Sequence, residues 1–147
     1  MANEKIGIAA FNSAWRCSTK LPKDKLFFGT KQILNANDFF KSNATTFNIA
    51  LIHHPIEFVG EIEKQEIKTF LYSSEFHVLL CGHTHRADII HALGTRNKLF
   101  TSVAKTAFSN PRETIDTHKS GYSIIDLEKT LIDDYDIVCH FRKYIHD

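Results

Sequence analysis

The sequence predicts an α/β fold, a sandwich of mixed sheets with flanking helices. Three observations carry that expectation. In the first half, apolar runs of strand length alternate with stretches whose apolar residues share one helical face. The second half holds strand-like runs almost alone. Two of the early runs stop at histidine clusters, which sets those loops at one edge of a sheet, where ligands bind in α/β folds.

The elements follow in order. Ile6-Gly7-Ile8-Ala9-Ala10-Phe11 reads as a short buried strand. Asn12-Ser13 ends it, because both residues favour turns. Residues 16–28 are polar and basic around Pro22 and predict a loop. Residues 29–41 predict a helix with Ile33, Leu34, Phe39 and Phe40 roughly on one face. Phe47 to Ile52 predicts a second strand, ended by His53-His54-Pro55. Pro55 has no N–H for a ladder and biases His54 toward extended backbone. Glu61 to Tyr72 predicts an amphipathic helix with Ile62, Ile67, Phe70 and Leu71 on its apolar side. Phe76 to Cys81 predicts a third strand, stopped by Gly82. Further strands are expected at 88–92, 99–103, 121–127 and 135–141, the last two as a hairpin turning near 128–134. The longest irregular stretch, 109–120, is expected to be a loop beside a site. No repeat, low-complexity tract or linker interrupts the pattern, so residues 1–147 are expected to form a single domain.

Composition narrows the function classes. The formal net charge is +1, and no basic run marks a nucleic-acid surface or a polybasic membrane anchor. No apolar stretch is long enough to span a bilayer. The three cysteines, Cys17, Cys81 and Cys139, are too few and too scattered for a disulfide framework. With no apolar signal core at the N-terminus, a cytoplasmic protein is expected.

The nine histidines are many for this length, and their spacing matters more than their number. Ile52-His53-His54-Pro55 and Cys81-Gly82-His83-Thr84-His85-Arg86 each follow an apolar run that emerges at the sheet edge. Neutral imidazole binds zinc, iron, manganese or nickel without adding charge. In His83-Thr84-His85 the imidazoles lie two residues apart, on one side of an extended chain or diverging in a tight turn. Gly82 is expected to allow that turn through close backbone approach or a positive φ. The other histidines, His54 among them, are expected to be surface or structural residues.

Gly82-His83-Thr84-His85-Arg86 resembles the Gly-His-x-His motif of calcineurin-like metallophosphoesterases, and Ile52-His53-His54-Pro55 resembles the His-x-Pro motif that precedes it there. Phe11-Asn12-Ser13-Ala14 resembles the family's segment just after its Gly-Asn-His-Asp/Glu motif and Gly29-Thr30-Lys31-Gln32 the helix start that follows, so the likeness covers about residues 6–127. It implies the C-terminal portion of a metallophosphoesterase-type α/β sandwich. It also implies a metal-dependent phosphoric ester hydrolase, either a phosphodiesterase or a phosphomonoesterase. Two divalent ions (manganese, iron, zinc or similar) are implied as cofactors, about 3.5–4 Å apart around a bridging water. Residue by residue, His53 and His83 would bind one ion and His85 the other. His54 would shape the rim, Thr84 would be a spacer, and Arg86 would contact substrate phosphate or support the turn. The implied partner is a phosphate-ester substrate of unspecified kind. The strings look most like those of bacterial members, including cyclic-nucleotide phosphodiesterase relatives.

The sequence also departs from that family. It contains no Gly-Asp and no Asn-His, so the Gly-Asp-x-x-Asp and Gly-Asn-His-Asp/Glu motifs are missing, and no Asp-x-His precedes the histidine strings. Asp116-Thr117-His118 spells Asp-x-His but lies after the histidine string, where it reads as coincidence. Without the bridging carboxylate, imidazoles alone would face two dications. Weak metal binding and slow or absent hydrolysis are therefore expected, and no residue is assigned as catalytic. The readings that fit are a fragment of a longer enzyme, a half completed by a second chain, or a non-catalytic binding or regulatory relative that keeps the fold. A structural zinc site using Cys81 is disfavoured, because Cys81 ends a strand and should point inward.

Overall fold

The structure is a computed structural model that describes residues 4–15, 26–84, 88–93, 98–107, 120–130 and 135–144. Its order is β1 (Ile6–Phe11), α1 (Lys31–Asn43), β2 (Phe47–Ile52), a single 3-10 turn (Ile56–Phe58), α2 (Glu61–Ser73), β3 (Val78–Cys81), β4 (Asp88–Leu93), β5 (Lys98–Val103), β6 (Gly121–Lys129) and β7 (Tyr135–Lys143). Five strands form one sheet in the order β1-β2-β3-β5-β4. All pairings in it are parallel except that of β4 with β5. β6 and β7 form a separate antiparallel pair, with Gly121 opposite Lys143 and Lys129 opposite Tyr135. The mixed α/β arrangement expected from the sequence is present. The segment 109–119 and most of the expected turn near 128–134 fall outside the described residues.

The helices cover one face of the sheet. α1 buries Ile33 and Phe40, and α2 buries Ile67 and Leu71, against Ile52, Leu79 and Val103. The apolar faces are narrower than the sequence suggested. Leu34 and Phe39 are exposed. They lie about 100° and 120° around the helix from Ile33, at 100° per residue. Ile62 is 93% exposed, because five residues carry it about 140° around α2 from Ile67. The Glu63 carboxylate ties the two helices together, accepting the backbone N–H groups of Phe28 (2.8 Å) and Gly29 (2.5 Å) ahead of α1.

The β6–β7 pair covers part of the other face. Phe47, Val78 and Phe100 are buried there against Ile125, Tyr135, Ile137 and Cys139. That cover stops short of β1. Ile6 and Ile8 pair in register with Phe47 and Ile49, yet remain 59% and 62% exposed. Between them, Gly7 turns toward the helices, where any β-carbon would collide with Asn48 Oδ1 and stand 2.6 Å from the Phe40 ring. Among the described residues, no helix is long and apolar enough to cross a membrane.

Register sets what the sheet presents at its edge. Phe11 pairs with Ile52, Ile52 with Cys81, and Cys81 with Val103. Three parallel strands, β1, β2 and β3, therefore end level, and the loops that follow them emerge side by side. Those loops begin at Asn12, His53 and Gly82.

A candidate metal centre of three histidines

His53 and His54 leave β2 together, and Pro55 opens the 3-10 turn that carries Phe58. Gly82 leaves β3, and its N–H donates to the His53 carbonyl at 3.0 Å. This bond joins the two histidine loops directly. Thr84 N–H then donates to the Gly82 carbonyl at 2.8 Å, closing a three-residue turn around His83. His83 has φ +68°, the positive-φ form of such a turn, which is strained for a residue with a β-carbon. The sequence suggested that Gly82 would take the unusual backbone. Instead, the left-handed conformation falls on His83, and a β-carbon at Gly82 would meet only ordinary contacts, 3.6 Å from His53 O.

The turn brings the His83 ring against both histidines of the other loop. His53 Nε2 and His83 Nδ1 are 3.3 Å apart. The His54 ring centroid lies 4.4 Å from that of His83 and 4.7 Å from that of His53. Phe58 sets its ring edge-to-face with His83 at 5.1 Å and forms an apolar wall. One ring nitrogen from each histidine can be chosen so that all three lie within 4.8 Å of one another. His53 and His83 are exposed, whereas His54 is only 8% exposed.

His54 is held from behind by Ser13. The Ser13 hydroxyl lies 3.0 Å from His54 Nδ1 and accepts the His54 N–H at 3.2 Å. Burial, followed by the proximity of His83 and His53, pushes the His54 pKa below the usual histidine value. That direction favours the neutral ring, which offers a lone pair. Cys81 points into the core as the sequence predicts, and burial with the nearby Glu57 raises its thiol to about 12, which makes it a poor ligand.

No family model, curated protein or solved structure matches this chain. The chemistry of the site must therefore be taken from its own atoms. Two nitrogens bound to one ion at about 2.0–2.1 Å and a tetrahedral angle stand about 3.3–3.4 Å apart. The His53–His83 separation fits that spacing. Among the described residues, no Asp or Glu joins the group.

His85 and Arg86 lie outside the described residues, as do His118 and His146. His77 stacks on Phe47 at 4.8 Å and accepts the Asn48 N–H, and His140 pairs with Asp126 at 3.0 Å. His77 serves the packing of the fold, and the His140–Asp126 pair lies at the surface of β6–β7. Ser13 was not singled out by the sequence as part of the site. Its signal was only a turn pair ending a strand, and the register of three strand ends brings it to His54.

Proposed function

We propose that this chain supplies the histidine part of a metal-dependent phosphoric ester hydrolase centre, within the C-terminal portion of a metallophosphoesterase-type sandwich. The observation that carries the reading is the 3.3 Å approach of His53 Nε2 to His83 Nδ1 across two loops at the level ends of parallel strands. His53 and His83 would hold one divalent ion, with His85 directed to a second. A bound ion would polarise a phosphoryl oxygen and lower the pKa of a bound water. Arg86 follows in the same string and would meet phosphate oxygens through its guanidinium. The reading places this work in the cytoplasm, on a phosphate-ester substrate.

The absence of a carboxylate among the described residues of the cluster supports a second reading, a binding or regulatory relative that holds metal without turnover. One experiment separates the two. Metal content and hydrolysis of bis(p-nitrophenyl) phosphate are measured on the purified chain with added manganese, beside His53→Ala and His83→Ala. Slow hydrolysis that needs the metal and vanishes in both variants is the expected result. Metal bound through both histidines without hydrolysis would favour the binding relative. A chain that takes up no metal would refute both readings.

A further inference from the structure

We propose that His54 is a third ligand to the ion held by His53 and His83, and that Ser13 is the residue that positions it. This rests on the metal reading of the site and departs from the rim role that the sequence resemblance gives His54.

The geometry around Ser13 points this way. Ser13 is 3% exposed, and its one hydroxyl contacts His54 twice, at the backbone N–H and at Nδ1. Backbone and ring are thus fixed by the same atom. The loop holding Ser13 is itself clamped. Asn12 N–H donates to Gln32 Oε1 at 2.9 Å, while Gln32 Nε2 donates to the Asn12 carbonyl at 3.1 Å. Asn12 Oδ1 accepts the Ala14 N–H at 2.9 Å, and Trp15 Nε1 donates to the Phe28 carbonyl at 3.0 Å. An imidazole buried this deeply costs free energy unless its nitrogens find partners. Ser13 provides one for Nδ1, so Nε2 is the nitrogen that would serve the ion.

A metal-bound imidazole donates its other ring N–H to a fixed acceptor, which sets both tautomer and orientation. Ser13 fills that role when His54 carries its proton on Nδ1. Three neutral imidazoles then serve one ion, a donor set that suits zinc, cobalt or nickel and not magnesium. The unspecified carboxylates of a dinuclear centre are not needed to hold this first ion.

The test is a cobalt(II) titration of the whole chain, followed by visible absorption and calorimetry. It compares the wild type with Ser13→Ala, Ser13→Thr, His54→Gln and His53→Ala. Long-range proton–nitrogen NMR on the metal-free wild type reads which His54 nitrogen carries the proton. We expect Ser13→Ala to weaken cobalt binding roughly 10–100-fold, with Ser13→Thr retaining most of it. We expect His54→Gln to weaken binding at least as much, and the proton to reside on Nδ1. Undiminished binding by Ser13→Ala and His54→Gln, with loss in His53→Ala, would overturn this inference and leave the proposed function standing. No cobalt binding by the wild type would overturn both. A proton found on Nε2 would overturn the role of Ser13 whether or not any variant folds.

Discussion

His83 combines a ligand-type side chain with a backbone conformation that suits glycine. The left-handed region costs a residue with a β-carbon about 1–2 kcal/mol, and the Thr84–Gly82 bond holds His83 there. That cost aims the ring at His53 and His54, so side-chain placement and backbone strain are one device. Two substitutions separate them. Both His83→Gly and His83→Ala should lose metal, but His83→Gly should be the more stable by about 1 kcal/mol in urea unfolding. Equal stabilities would mean that the turn relaxes when the imidazole is gone. At this scale the sequence indicated the histidine strings at His53 and His83, since strand, turn residue and imidazole are all local signals. It did not indicate the strain at His83, because Gly82 offered a cheaper carrier for it. Nor did it indicate Ser13, whose contact with His54 depends on strand register across 41 residues.

At the scale of elements, β1 and α1 are keyed to one another through a missing side chain. Gly7 leaves the space that the Phe40 ring and the Asn48 amide occupy. A methyl group there has no room, and overpacking of this kind costs typically 1–3 kcal/mol. Gly7→Ala should therefore lower the thermal midpoint by roughly 5–10 °C, as read by circular dichroism. An unchanged midpoint would mean that β1 slides to admit the methyl. Most elements could be foreseen because apolar spacing is a local property. The strands at Ile6, Phe47 and Gly121 begin where the patterning placed them. The helical faces are narrower than apolar spacing predicts, since Ile62, Leu34 and Phe39 are apolar without being buried. A sequence pattern records hydrophobicity, and only the tertiary arrangement decides which side of a wide apolar arc meets the sheet.

For the whole molecule, the uneven cover of the sheet matters most. The helices fill one face, while the β6–β7 pair protects only part of the other. Ile6 and Ile8 stay exposed on β1, an outer strand of the sheet among the described residues. An apolar outer strand favours association with other chains, and lysine is a common way to blunt it. Replacing Ile6 and Ile8 together by lysine should reduce concentration-dependent association in analytical ultracentrifugation and leave the thermal midpoint nearly unchanged. A large drop in midpoint would show that both side chains support the fold from within.

The bond from Gly82 N–H to the His53 carbonyl has a consequence for cooperativity. It lies between two loops that each carry part of the histidine cluster and adds a backbone link to the ring contacts between them. With the loops stitched at that point, neither can fray without breaking a contact that belongs to the other. The pair is therefore expected to open as one unit of local unfolding, read by exchange of the Gly82 amide with solvent.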